Sequence, residues 1–363
     1  MTIRMQACRA PGCAVCYIMP PHVLEHMAEY AASPEHREAA RVALLQLYQT
    51  HDRRETARVN TLLGAPVKAT TAAAPTVKRV VYSCEGTQSP HVKLMRNEGD
   101  APSDDTDTNE AYDFAGATWD FYWQVMKRDS VDGAGLTLNS NVHLDASIKN
   151  AYWDGTQMFY CDPTPGVFNR FTIAVDVVAH ELTHGVTQNT AALVYRSQSG
   201  ALNESISDVF GSMVKQWKNA QTSAQADWLI GEGLFVQIPG RNRAALRSMK
   251  APGTAYDDPD LGTDPQPAHM KNYQVMPETR DGDWGGVHIN SGIPNKAFYL
   301  TAIALGGNSW DRAGPIWYEV LTNRLESNAQ FADMKTATVQ AAKDLYDAAT
   351  AKLVADAWAQ VGL

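Results

Sequence analysis

The spacing of apolar residues changes character several times along this chain, and each change predicts an element. In "HVLEHMAEYAASPEHREAARVALLQLYQTH" (22–51) Leu24, Met27 and Tyr30 share one helical face, and Ala40, Leu44 and Leu47 share another. Two helices broken near Ser33-Pro34 are expected. The stretch "LLGAPVKATTAAAPTVKR" (62–79) is rich in Ala, Thr and Pro and has no period, as a loose tether would be. From "VVYSC" onward short β-like pieces alternate with turns, interrupted by a helical pattern over 111–129. "YWDGTQMFYCD" (152–162) reads as a hairpin-like strand region, and after residue 172 the pattern is predominantly helical. No internal repeat is visible. A β-rich half followed by an α-rich half predicts an α+β protein with a cleft between two lobes.

Composition narrows the partners. The chain has 363 residues, 44% hydrophobic and 20% charged, which suits a large core and about two domains. A formal net charge of −9 argues against nucleic acid as the main partner, because no basic face can dominate the field. No apolar run approaches the ~18 residues a membrane helix needs. The N-terminal apolar patch "CAVCYIM" is cut off by Pro20 and Pro21 and makes a poor secretory signal. A cytoplasmic monomer, or one exported without such a signal, is therefore expected. Five cysteines (Cys8, Cys13, Cys16, Cys84 and Cys161), an odd number, argue for reduced thiols rather than a disulfide framework. Cys13 and Cys16 form a C-x-x-C pair near Cys8, with His22 or His26 as the nearest fourth ligand of an alternative zinc knuckle. Without a second matching pair the signal is weak.

The chemistry is concentrated in "VVAHELTHGV" (177–186). On a helix, residues four apart lie on one face, so His180 and His184 can aim ring nitrogens at one point, with Glu181 beside it. This is the H-E-x-x-H arrangement of zinc hydrolases. In "SGALNESISDVFG" (199–211) Glu204 stands 20 positions after His184 on a second amphipathic pattern, and Asp208 follows one turn later. His180, His184 and Glu204 supply three zinc ligands and leave a fourth position for water. Asp208 is placed to accept the second ring N–H of a ligand histidine.

Those residues, with Asn203 before Glu204, resemble the thermolysin family of zinc metallopeptidases over roughly residues 110–363. Zinc aminopeptidases are similar but keep one residue fewer before the third ligand. The resemblance implies a two-lobed thermolysin-like fold with zinc in the cleft. It implies Glu181 as general base, His288 in "DWGGVHINSGIPNKAFY" (283–299) as a transition-state donor oriented by Asp283, and Tyr195 as an oxyanion donor. It implies Asn150, Ala151 and Trp153 as the edge that binds substrate backbone. Phe168, Phe171, Val177, Ile230 and Leu246 would surround the first primed subsite, with Arg247 closing one side. A bulky apolar residue just after the scissile bond would then be favoured by about 1–3 kcal/mol over a small one. A catalytically silent relative and a zinc aminopeptidase are the competing readings, although no catalytic position is visibly lost.

Two departures matter. Asp176, Asp227 and Glu232 match acidic calcium ligands of the family, but Lys215 and Leu229 stand where thermolysin has glutamates. The expectation is that the double-calcium site is lost and that the Lys215 ammonium replaces its charge. "CYIMPPHVLEHMAEYA" (16–31) resembles the short propeptide of protealysin-like enzymes. The chain is therefore expected to comprise an autoinhibitory propeptide and linker (1–77), a β-rich catalytic lobe (78–195) and an α-helical lobe (196–363). Met19, Pro20, Pro21, His22 and Val23 are the expected inhibitory segment, with Met19, His22 or Val23 in the specificity pocket. A thiolate from Cys8, Cys13 or Cys16 on the zinc is the alternative lock.

Overall fold

A computed structural model describes residues 17–45, 75–145 and 149–363. Cys8, Cys13, Cys16 and all but the last residues of the tether lie outside the described residues.

The chain is α+β. Helix α1 (Pro21–Tyr30) starts with proline in its first turn, where the missing N–H removes no intrahelical bond. A second helix, α2, begins at residue 34 and continues through 45, so the break falls at 31–33. Strands β1 (Arg79–Ser83), β2 (Lys93–Asn97), β3 (Leu138–Leu144), β4 (Ala151–Trp153) and β5 (Met158–Cys161) form one sheet in the order β2-β1-β3-β5-β4. β1–β3 and β3–β5 are parallel, and the outer pairs are antiparallel. The short span from Ala151 to Cys161 is a hairpin, and it leaves β4 at the sheet edge with one side open to another chain.

Helix α3 (Thr106–Gln124) begins earlier than the apolar pattern from 111 suggested. The acidic run "SDDTDTNE" (103–110) supplies its cap and first turn: the Asp105 side chain accepts from the Thr108 N–H and caps the helix. Beyond it come α4 (Val175–Gln188) and α5 (Ser197–Lys218), which carry the two motifs. They pack closely because α5 has a glycine at the crossing. A Cβ on Gly211 would stand 2.6 Å from the Asp176 carbonyl oxygen. The remainder is helical, α6 (Asp283–Asn290) through α10 (Ala348–Gln360), with short strand pairs between α5 and α6. Among these, β6 (Leu229–Ile230) pairs with β8 (Arg247–Ser248), and β9 (Tyr256–Asp258) pairs with both β7 (Asn242–Arg243) and β10 (Gly262–Thr263).

One apolar core runs through the described residues, from the sheet across α3, α4 and α5 to the C-terminal helices. Tyr17, Ile18, Met19, Val23, Leu24 and Met27 belong to it, all 2% exposed or less. The N-terminal segment is thus packed as part of the molecule. No helix among the described residues is long and apolar enough to cross a membrane.

Candidate active site

His180 and His184 project from one face of α4, and Glu204 reaches them from α5. Their donor atoms lie within 4.8 Å of one another, and all three side chains are buried. The His180 Nδ1–H donates to Asp208 Oδ1 at 2.8 Å and the His184 Nδ1–H to Asn203 Oδ1 at 2.8 Å, with Ser207 Oγ also 3.1 Å from the latter nitrogen. With the protons held on Nδ1, the Nε2 lone pairs face each other at 3.0 Å. Two lone pairs at that distance repel unless a cation lies between them. Glu204 carboxylate oxygens stand 3.6 Å from His180 Nε2 and 3.8 Å from His184 Nε2. The donor set therefore fits a zinc ion.

Asp208 also binds the opposite wall of the cleft. It accepts Arg247 Nε and Nη2, both at 2.8 Å, and Asn295 Nδ2 at 2.8 Å. Burial would raise its pKa, but the Arg247 guanidinium and His180 hold it far below the ordinary carboxylate range.

Glu181 is fully buried, and its Oε2 accepts the Trp153 N–H at 3.0 Å, which ties the helix to edge strand β4. On the other side, His288 Nδ1–H donates to Asp283 Oδ1 at 2.6 Å, and Asp283 Oδ2 accepts the His288 backbone N–H at 2.8 Å. That clasp needs an unusual backbone. Asp283, Trp284, Gly285 and Gly286 all have positive φ, and a Cβ on Gly285 would come within 2.5 Å of Ser197 Oγ. Burial lowers the His288 pKa, while Asp283 and Glu204 outweigh it and push it up to about 9. The Tyr195 hydroxyl donates to Glu204 Oε1 and lies 3.2 Å from His288 Nε2. Phe168, Phe171, Val177, Ile230 and Leu246 are all 1% exposed or less, and β6 paired with β8 brings Ile230 opposite Arg247.

The N-terminal segment lies along this cleft. Ile18 N–H donates to the Ala151 carbonyl at 3.2 Å, and Met19 exchanges bonds with the Asn150 side chain at 2.9 and 3.3 Å. Arg247 Nη1 donates to the Ile18 carbonyl at 3.3 Å, and His288 Nε2–H to the Tyr17 carbonyl at 3.1 Å. Pro20 and Pro21 follow, and His22 Nε2 shares a 2.9 Å hydrogen bond with the Tyr256 hydroxyl. Val23 is buried. Tyr17 and Ile18, the two residues on the catalytic groups, carry no sequence signature. Neither do Asn203, Ser207 and Asn295 as supports of the ligand histidines. Their partners are 19 to 271 positions away.

At the far end of the α4–α5 pair, Lys215 Nζ lies 3.5 Å from Asp176, 2.9 Å from Asp227 and 3.4 Å from Glu232, with the Leu229 carbonyl at 3.4 Å. Only Asp176 is deeply buried; burial raises its pKa against the pull of Lys215. Burial also draws the Lys215 pKa down, and the surrounding carboxylates, Asp176 foremost, more than reverse it.

A buried His₂Glu centre between two helices, under a sheet-edge cleft, defines a zinc metallopeptidase. The thermolysin metallopeptidase catalytic domain matches residues 47–188, and the thermolysin metallopeptidase alpha-helical domain matches residues 191–363. The chain belongs to the thermolysin metallopeptidase family. It is 45% identical over 353 residues to an extracellular metalloprotease of Pectobacterium carotovorum subsp. carotovorum, covering 96% of each chain. It is also 45% identical to protease PrtS of Photorhabdus sp. (strain Az29), over 79% of this chain and 77% of that one. Among solved structures, the precursor of protealysin, a metalloproteinase from Serratia proteamaculans, superposes with a TM-score of 0.83 at 46% identity, covering 96% of this chain and 99% of that one. The relationship to the protealysin-like subgroup therefore extends into the N-terminal segment.

Proposed function

We propose that the chain is a self-inhibited precursor of a zinc endopeptidase that cleaves before bulky hydrophobic residues. The observation that carries this reading is the convergence of His180, His184 and Glu204, with Glu181 and His288 flanking the same cleft.

When bound, zinc acidifies water and polarises a carbonyl. The residues of the chain do the rest. Asn150, Ala151 and Arg247 hold a substrate backbone along edge strand β4. Glu181, steadied by the Trp153 N–H, takes the proton of the attacking water and passes it to the departing amine. His288 and Tyr195 donate to the oxygen on which negative charge develops, and Asp283 keeps the His288 ring protonated and oriented. Loss of one such donor lowers turnover by ~10²–10³. Phe168, Phe171, Val177, Ile230 and Leu246 form a buried apolar lining for the first primed residue, favouring bulky over small side chains by about 1–3 kcal/mol. The segment Tyr17–Val23 blocks the cleft in the precursor. Lys215 takes the place of a calcium pair by neutralising Asp176, Asp227 and Glu232 from within.

A blocked-peptide library, digested by the processed enzyme with and without chelator, tests this. Chelator-sensitive internal cuts before Leu, Ile, Phe or Val support the reading. Chelator-resistant cleavage, or release of single N-terminal residues only, overturns it.

A further inference from the structure

Resting on the function proposed above, we infer that the Tyr17–Ile18 bond of the prosegment is itself a cleavage site, cut in cis by the cleft it fills. An inhibitory segment that ran against the substrate direction would turn the carbonyl and amide of each bond to the wrong partners. This one presents a single bond in register. The Tyr17 carbonyl points at His288 Nε2, whose other neighbours are Tyr195 and, at 3.8 Å, Glu204. The next nitrogen, that of Ile18, faces the Ala151 carbonyl, and the Ile18 carbonyl faces Arg247. Met19 then pairs with Asn150 on both its backbone groups. Tyr17 is therefore on the acyl side and Ile18 on the amine side of the one bond, among the described residues, bracketed by all of these groups. The flanking side chains suit the roles. Ile18 is fully buried within the same continuous core as Phe168, Phe171, Ile230 and Leu246. The Tyr17 ring packs 5.2 Å from the ring of Tyr152 on β4.

In the hydrolysis, water oxygen bonds to the Tyr17 carbonyl carbon and the bond from that carbon to Ile18 N breaks. One water proton goes by way of Glu181 to the Ile18 nitrogen, and the second follows from the new Tyr17 carboxyl group, so that the products are a Tyr17 carboxylate and an Ile18 ammonium. The amine product cannot diffuse away. Downstream of the cut it is fastened by His22 to Tyr256, by His26 Nε2–H to the Pro259 carbonyl at 3.1 Å, by Ala32 N–H to Asp260 at 2.8 Å and by His36 Nε2–H to the Pro165 carbonyl at 3.1 Å. The cut prosegment thus stays in the primed side of the cleft, and the bond can re-form there. Inhibition outlasts cleavage, and full release waits for removal of the tether.

The test is a time course of the full-length chain with zinc, followed by intact mass spectrometry and N-terminal sequencing until the sample hydrolyses a blocked peptide. A chain that begins at Ile18 and still carries the catalytic lobes is expected before the tether is cut, and it should be absent from Glu181→Gln. In Ile18→Asp the same cut should fall at least ~10-fold while blocked-peptide hydrolysis persists. A wild-type sample that hydrolyses the peptide and cuts its tether while Tyr17–Ile18 remains intact overturns the inference and leaves the proposed function standing. A sample that never hydrolyses the peptide removes both.

Discussion

The two ends of the α4–α5 helix pair meet the same physical demand in opposite ways. Each buries one carboxylate, Glu204 at one end and Asp176 at the other, and a buried carboxylate needs a compensating charge. At one end Glu204 faces two imidazoles whose Nε2 atoms are left as lone pairs by Asp208 and Asn203, so every group offers electrons and the compensating charge must come from outside. At the other end Asp176 faces Lys215, whose ammonium lies within 3.5 Å of three carboxylates. The first end is a socket for a metal and the second is closed by the chain's own cation. Chemistry requires the former, because a lysine in the zinc position would stabilise the fold but leave no place for water. Stability alone is served by the latter, and a fold that does not need calcium at this end is the expected consequence.

Several measurements sharpen or break this contrast. The largest effect is expected from stripping the metal: a chelator should abolish peptide hydrolysis, zinc should restore it and calcium should not. Restoration by calcium alone would erase the distinction between the two ends. Next, Lys215→Met leaves Asp176 buried opposite no cation and should destabilise the fold by about 3–5 kcal/mol in denaturant unfolding. Lys215→Glu should make the melting temperature respond to calcium. A Lys215→Met protein as stable as the wild type would show that the lysine is a bystander.

A third solution appears at the prosegment dock, where the half-buried His22 favours its neutral form. Burial, with Arg247 and His288 nearby, lowers its pKa from 6.5 to about 4, against a smaller opposing pull from Asp283. The Tyr256 hydroxyl is its hydrogen-bond partner. Because the docked value lies below the released one, docking is at full strength above pH 6.5 and weakens as the pH falls towards 4. The limit is ~300-fold for a gap of this size. Hydrogen exchange in α1 should speed up over that window in Glu181→Gln, and His22→Gln should flatten the dependence. An unchanged profile in His22→Gln would assign the effect elsewhere.

The smallest effect concerns His143, which bridges Asp162 at 2.7 Å and Asp105 at 3.0 Å. Its hydrogen bond to Asp162 outweighs burial and lifts its pKa to about 9. A raised folded pKa gives stability that is complete below pH 6.5 and lost as pH rises through about 9. For this partly exposed pair the contribution is on the order of 1 kcal/mol. Unfolding of His143→Gln at pH 6 and pH 10 measures it, and equal deficits at both would contradict it.

What could be read without coordinates follows the range of each interaction. His180 and His184 share one helical face with Glu181 beside it, and Glu204 and Asp208 share another, so helical periodicity and the family resemblance place all five. The start of α3 was obscured because Asp105 sits in an acidic run, and its capping bond to Thr108 is invisible in composition. The clasp of His288 by Asp283 depends on four successive positive φ values, for which "DWGG" gives only the glycines as a hint. Tyr17 and Ile18 have no local signature. Pro20-Pro21 is conspicuous in the sequence, whereas the bonds that seat the residues before it span 131 to 271 positions. The placement of Lys215 among Asp176, Asp227 and Glu232 follows from the family resemblance, because a lone cation among matched acidic positions has a local meaning.

The most direct test of the account is the zinc content and peptide turnover of Glu181→Gln beside the wild type, after the tether of both has been cut by the same added protease and the prosegment removed. One zinc per chain in both, with turnover in the variant lowered by about 10²–10⁴, is the predicted result. Wild-type turnover in Glu181→Gln, or turnover in a wild-type chain that holds no zinc, would contradict it.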